Sequence, residues 1–340
     1  MTTAQRRTLP GGRWHFQHGP IDCVIGADGE SAVVAQAMED AWARFQGVLS
    51  ELVAELPMLR ANLAGRGHHR LAAAGGRVDP GPRVKHGAAV RRDDKLGIPP
   101  QGSIARRMVA ACGPYAEQSM FITAMAAVAG SVAQELIGHF ERPGVRRAYV
   151  NNGGDIALHL APGEWFDVGL VVDPGHADRG IDGRFCIDAA SGVRGIATSG
   201  WRGRSLSLGI ADSVTVLAAT AAQADAAATM IANAVDVDDA RIVRTPASAV
   251  RDASDLGELL VTVEVPALPA PLVAQALAAG AAFAQREIAA GRVFAAALCL
   301  QGQVRRCAAQ VFHPSRNCAP GPILGRFTTP PREPAPCTPS

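Results

Sequence analysis

The sequence lacks the signatures that usually announce common enzyme classes. No GxxxxGK[ST] phosphate loop, no GxGxxG after a strand, no GxSxG elbow and no HExxH pair occurs in its 340 residues. P-loop, dinucleotide-fold, serine-hydrolase and zincin readings therefore lose their usual support. Charge of one sign is also lacking: 33 basic against 31 acidic residues leave a net charge of +2, too little to favour nucleic acid or an anionic membrane. The seven cysteines are odd in number, scattered and never paired as CxxC. That argues against a disulfide framework and a zinc cage, and suits a reducing compartment. No segment approaches the roughly 18 apolar residues of a membrane span, and no apolar core follows Arg6 and Arg7 as a secretory leader would require. The expectation is a soluble, cytoplasmic protein. No internal repeat is visible.

What is present is a hydrophobic content of 48%, enough for one large domain or two ordinary ones. The patterning predicts a strand over 21–27 and a helix over 31–56 opened by Ser31. A Gly/Pro/Arg/His-rich loop spans 60–100, long enough to suggest a lid or hidden short elements. Helices are predicted over 103–112 and 119–140, the second built mostly from small residues. Strands then follow at "AYVNN", "DIALHL", "WFDVGLVV" and "RFCIDAA". The stretch from Ser191 to Gly209 reads as a loop. After it come a strand at "DSVTVLAA", a helix over 221–235, a strand over 258–265, a helix over 270–290 and a strand over 293–301. A single domain, in one or two lobes, is expected over 1–312, with an unstructured proline-rich tail over 313–340. Helices and strands that mix without strict alternation point to α+β layers.

Three constellations could carry chemistry. Asn151, Asn152, Gly153, Gly154 and Asp155 stand between two strands. Glycines permit positive φ and converging amide N–H groups that hold an anion, but Asn-Gly is also the strongest hairpin dipeptide, and spacing alone favours the hairpin. Thr198, Ser199 and Gly200, with Arg202 and Arg204 just beyond, combine hydroxyls, flexible backbone and guanidinium forks suited to phosphate. A solvated loop with surface arginines fits equally well. Asp225 and Thr229, four residues apart, share one helix face as a pair of hard oxygen ligands for Mg²⁺ would. The ordinary reading is an exposed Asp and a Thr bonded back to its own helix. His15 with His18, and His68 with His69, lack a visible third ligand and read as surface groups. Arg106 and Arg107 read as solvated helix charge.

Taken in order, "AYVNNGGDIAL", "IATSG" and "SVTVLAATAAQADAAATMIANA" resemble the ApbE-like superfamily, whose better-known members are Mg²⁺-dependent FAD:protein FMN transferases. "RRMVAACGPYAEQSMFITAMAAVAGSVAQEL" and "GRSLSLGIADSVTVLA" are similar to an uncharacterised bacterial and archaeal branch of it. The resemblance covers about residues 8–305. It implies an α+β, T-fold-related layered architecture with mixed sheets and packed helices. It further implies Asp225 and Thr229 as Mg²⁺ ligands, and a backbone carbonyl for the metal from the segment Ala124 to Gly130. Asn152, Gly153, Gly154 and Asp155, with Thr198, Ser199 and Gly200, would lie around a bound FAD or related pyrophosphate nucleotide. Arg202 and Arg204 are the catalytic candidates. A protein acceptor and a homodimer are further expectations.

The departures are specific. Where the transferases carry Ala-Lys-Gly, this chain has Ala129 and Gly130 without the lysine. Their longer His-Ile-x-Asp-Pro-x-Thr-Gly insertion is replaced by "WRGRSLSLGIAD". A second reading follows: a ligand-binding or maturation protein of sulfur or cofactor metabolism that retains the fold without the transfer.

Overall fold

The computed structural model describes residues 3–64, 99–170, 183–203, 205–309 and 323–324. The chain begins with an antiparallel meander of β1 (Gln5–Leu9), β2 (Arg13–His18) and β3 (Ile21–Gly29). Next come α1 (Ser31–Ala54) and the short α2 (Leu56–Leu59). Then follow α3 (Ser103–Glu117), a 3-10 turn at Ala124–Ala127 and α4 (Val128–Ile137). The strands β4 (Val145–Asn152), β5 (Asp155–Leu160), β6 (Trp165–Leu170), β7 (Gly183–Asp188), β8 (Gly195–Ser199) and β9 (Ser213–Ala218) lead into α5 (Ala221–Ala234). The chain continues through β10 (Val243–Pro246), α6 (Ala247–Val250), β11 (Leu260–Glu264), α7 (Ala270–Ala289), β12 (Ala295–Leu300), β13 (Gln303–Ala308) and β14 (Ile323–Leu324).

Nine strands join one sheet in the order β1-β2-β3-β4-β5-β8-β9-β12-β13, every neighbouring pair antiparallel. Side chains alternate across a strand, and the two faces bury different cores. Phe16, Cys23, Ile25, Ala157, Val214 and Leu298 join the helices α1, α3, α4, α5 and α7 in the larger core. Ile156, Leu158, Ile196 and Leu217 pack instead with Phe166, Val168 and Ile187 of the small sheet β14-β6-β7. That sheet is mixed, with β14 parallel to β6 and β7 antiparallel to it. This is the layered α+β architecture expected.

Local physics explains the elements that position the site. On α1, Met38, Ala41, Phe45, Val48 and Leu52 recur at helical spacing and are buried; each large apolar side chain contributes about 1.5–3 kcal/mol. The alanine-rich α5 is buried over most of its surface, and its small side chains let α4 approach so closely that a Cβ on Gly130 would overlap the Ala221 carbonyl.

Several expectations need correcting. Ser31 does not cap α1: Glu30 is the N-cap residue and makes no side-chain cap bond. Helix α3 runs on through Pro114 to Glu117, because Tyr115 is buried and stacks on Phe283. It ends with Ser119 at φ 60°, Ser119 N–H donating to the Ala116 carbonyl and Met120 N–H to that of Tyr115. This termination makes residues 119–123 non-helical and delays the next helix to 124. The stretch read as a loop after Ser191 contains β8, a central strand. Cys186 is disulfide-bonded; the scattered spacing, which argues against a disulfide framework, does not reveal which individual cysteines meet in space. Cys23, Cys112, Cys299 and Cys307 are buried. Within the tail expected to be unstructured, Ile323 and Leu324 pair with Asp167 and Val168. Most of loop 60–100, with His68 and His69, lies outside the described residues.

Candidate functional site

The Asn-Asn-Gly-Gly-Asp stretch is a hairpin. Strands β4 and β5 pair from Arg147 with Leu160 to Asn152 with Asp155, leaving Gly153 at φ 68° and Gly154 at φ 111° as a two-residue turn. Positive φ at both positions is what such a tight turn demands and glycine supplies without strain. The polar side chains beside the turn reach beyond it. Asn151 Oδ1 accepts from Gly154 N–H at 2.9 Å. Asn152 Oδ1 accepts from Asp22 N–H at 3.3 Å, while its Nδ2 donates to the Ala129 carbonyl at 3.2 Å. Asp155 Oδ1 accepts from Thr198 N–H at 3.3 Å. The hairpin is thus stitched to both α4 and β8, bringing together two of the three constellations.

The third meets them at the start of α4. Thr220 caps α5 by accepting from Gln223 N–H at 3.3 Å, which places Asp225 in the second turn of α5, with Thr229 one turn further. Helix α4 has Ala127 at its N-cap position and no cap from its own side chains. Asp225 supplies one from the neighbouring helix: Oδ2 accepts from Gly130 N–H at 2.8 Å, and Ala129 N–H also points to the carboxylate. These are the orphan donors that a helix start leaves open. Burial still dominates the group. It pushes the Asp225 carboxyl up to about 7, against the opposing pull of the Gly130 and Ala129 N–H groups. Beneath it, burial and then the Asp225 charge push the thiol of Cys112 up; Cys112 Sγ donates weakly to the Ala124 carbonyl at 4.0 Å.

The Thr198–Gly200 segment is the end of β8 and the turn after it. Thr198 Oγ1 and Thr215 Oγ1 lie 2.9 Å apart, and Ser199 pairs with Val214. Gly200 backs onto the Asp212 carbonyl. The following turn is organised by Asp212, the residue just before β9. Asp212 is 6% exposed. Its Oδ1 accepts from Arg202 Nε at 2.8 Å and from Trp201 Nε1 at 3.2 Å, and its Oδ2 accepts from Gln301 N–H at 2.5 Å. The Arg202 guanidinium also lies 5.0 Å from the Trp201 ring centroid. Arg202 therefore pins the loop through one nitrogen and leaves its outer edge exposed. Arg204 lies outside the described residues.

The remaining candidates fall elsewhere. His15 Nε2 lies 2.7 Å from Asp22 Oδ1, and its Nδ1 accepts from Arg7 Nε at 3.1 Å. His18 lies against the Phe45 ring. Arg107 is no solvated charge: it donates to Glu135 at 2.9 Å. A cavity of about 750 Å³ lined by Gly29, Glu30, Arg142, Gly144, Arg146 and Pro162 opens at the other end of β4 and β5, away from the turn. Among the described residues no three His, Cys, Asp or Glu side chains gather in metal-binding range, and no helix is long and apolar enough to cross a membrane.

The Asp225 region fits a hard divalent cation on its own chemistry. Asp225 is a desolvated carboxylate acted on by burial and two amides, and a cation would relieve that cost. Thr229 and the carbonyls of the 124–130 turn are oxygen donors of the kind Mg²⁺ takes.

Comparison with known proteins bears on the whole chain. Residues 6–78 and 84–306 match the family model described as "AbpE bacteria". The chain is 37% identical over 140 residues to a UPF0280 protein of Methanothermobacter thermautotrophicus, covering 41% of this chain and 51% of that one. It is 36% identical over 156 residues to a UPF0280 protein of Methanopyrus kandleri, covering 46% and 56%. The chain thus spans about half the length of these curated relatives. Among solved structures, the apo flavinyl transferase ApbE of Pseudomonas stutzeri aligns with a TM-score of 0.38 at 12% identity, over 90% of this chain and 94% of that one. The ApbE protein of Thermotoga maritima aligns with a TM-score of 0.35 at 12% identity, over 89% and 96%. The sequence match over nearly the whole of residues 6–306 decides the assignment: the chain belongs to the AbpE bacteria family, within the ApbE-like superfamily.

Proposed function

We propose that this protein binds Mg²⁺ through Asp225 and Thr229, and with it a flavin nucleotide containing a pyrophosphate, FAD being the first candidate. The observation that carries the reading is the desolvated Asp225 carboxylate, held at the start of α4 by the Gly130 N–H and pushed up to about 7 by burial. When bound there, the metal supplies charge neutralisation at pyrophosphate oxygens. The chain's own residues would do the rest. Asp225 and Thr229 hold the cation, the Gly-Gly turn lets backbone approach the ligand, and Asp155 and Thr198 fix the opposite wall. The exposed edge of Arg202 offers donors to phosphate while its Nε stays on Asp212. A transferase of this kind positions an acceptor hydroxyl in line with the FMN phosphorus, forming one P–O bond as the bond to the AMP half breaks.

A second reading, binding or maturation without transfer, is supported by the missing lysine beside Ala129 and by the shortened insertion, whose Arg202 is already committed to Asp212. The two separate in one experiment. Purified protein is incubated with FAD and Mg²⁺, then examined by thermal shift and by mass spectrometry for FMN, AMP or a flavin adduct. A Mg²⁺-dependent shift with turnover supports the transferase, and a shift without products supports the binding protein. Neither shift nor products sinks the flavin reading. Asp225→Ala is expected to abolish the Mg²⁺ response.

A further inference from the structure

We infer that Asn152 is a positioning residue for the metal site, acting on Asp225 through the Ala129 peptide; this rests on the Mg²⁺ reading above. Asn152 is 4% exposed, and both ends of its amide are engaged within the protein. Oδ1 accepts from Asp22 N–H on β3, and Nδ2 donates to the Ala129 carbonyl. Ala129 is held from its other side as well, since its N–H and that of Gly130 are the donors received by Asp225. One residue of the 124–130 turn is therefore gripped by the hairpin through its carbonyl and by the candidate metal ligand through its nitrogen.

Packing leaves that turn little room to adjust. Gly130 is wedged against Ala221 and the Asp225 Cβ so tightly that a side chain there would collide with both. With α5 closing one side, the Asn152 amide sets how far the Ala129 peptide tilts on the other. That tilt decides where two N–H groups present themselves to Asp225, and so which carboxylate lone pairs face away from α4 toward a cation. A carboxylate has about four lone-pair sites, and capping α4 uses only part of them. Asn152 thereby couples the glycine turn, where the nucleotide would lie, to the residue that would hold the metal. The side-chain chemistry suits this role: a single amide group donates to a carbonyl through one atom and accepts from an N–H through another, without adding charge beside Asp225.

The test uses the full chain and Mn²⁺ as a spectroscopic stand-in for Mg²⁺, titrated while the electron paramagnetic resonance signal of free Mn²⁺ is followed. Asn152→Asp keeps the acceptor for Asp22 N–H but turns a carboxylate oxygen toward the Ala129 carbonyl. Asn152→Ser gives up the bond without adding charge and is measured alongside, in case the aspartate variant does not fold. The expected result is at least tenfold weaker Mn²⁺ binding in each folded variant. Asn151→Asp, altered on a residue whose side chain accepts from Gly154 N–H within the turn, is expected to stay within twofold of the unmodified chain. Unchanged Mn²⁺ affinity in folded Asn152→Ser, with or without a lower melting temperature, overturns the inference and leaves the metal reading standing. Absence of Mn²⁺ binding by the unmodified chain overturns both, and is recognised by the flat titration of every variant.

Discussion

Helix α4 meets one carboxylate from α5 at its start and carries another near its end, and the two are treated in opposite ways. Glu135 accepts from Ser103 Oγ at 2.7 Å, from Arg44 Nε at 2.8 Å and from Arg107 at 2.9 Å, and is 13% exposed. Burial works to raise its carboxyl, but the Ser103, Arg44 and Arg107 hydrogen bonds and the Arg107 charge outweigh it and hold the group down to about 2. Among the described residues Asp225 receives backbone N–H groups alone, burial wins, and the carboxyl rises to about 7. Two guanidinium groups balance a carboxylate where amide dipoles do not. A charge balanced inside the protein knits α1, α3 and α4 together, whereas the charge on Asp225 stays unbalanced.

The comparison breaks first at Glu135. Glu135→Gln leaves Arg44 and Arg107 facing a neutral amide and is expected to cost about 3 kcal/mol at pH 7, as the loss of a partly buried paired charge does. Urea unfolding measures it. Because the folded value lies below the ordinary 4.5, this stabilisation is present above about pH 4.5 and is lost as pH falls toward 2. The acid limb of the stability curve should therefore shrink in Glu135→Gln. A variant as stable as the unmodified chain at pH 7 would mean the knot is ornamental.

An effect of similar size and opposite sign is expected at Asp225. Its folded value lies above the ordinary 3.8, so its contribution is fully present below about pH 4 and is lost as pH rises through 7. Without metal, the unmodified chain should lose roughly 4 kcal/mol relative to Asp225→Asn between pH 4 and 8. Parallel stability curves for the two proteins over that range would remove the contrast between the two carboxylates. The smallest change is expected from Arg202→Ala. Arg202 is 40% exposed, and Trp201 and Gln301 remain on Asp212, so stability should fall by about 1 kcal/mol or less. If its outer edge serves phosphate, FAD affinity measured by fluorescence should fall at least tenfold; an unchanged affinity confines Arg202 to the loop.

The strongly patterned elements were legible in advance. Helices α1, α5 and α7 show their apolar spacing or alanine content plainly, and β4 and β5 announce themselves through alternation and the Asn-Gly pair. Strand β8 escaped because Gly195 to Ser199 is short and polar at one end; its identity comes from lying between β5 and β9, not from its own residues. Asp212 and Glu135 carried no local signal either. Their roles depend on donors distant in the chain, Gln301 for one and Arg44 for the other.

The order of the Gly-Gly-Asp, Thr-Ser-Gly and Asp-x-x-x-Thr segments, and the helical spacing that sets Thr229 one turn beyond Asp225, are properties of the sequence alone, because covalent spacing and backbone periodicity are local. That Asp225 caps a different helix, that Asn152 holds Ala129 of the same turn from the hairpin side, and that among the described residues no guanidinium reaches this carboxylate while two reach Glu135 were decided only by tertiary packing. Charge balance at a buried group is a property of what surrounds it in space, and the chain order does not contain it.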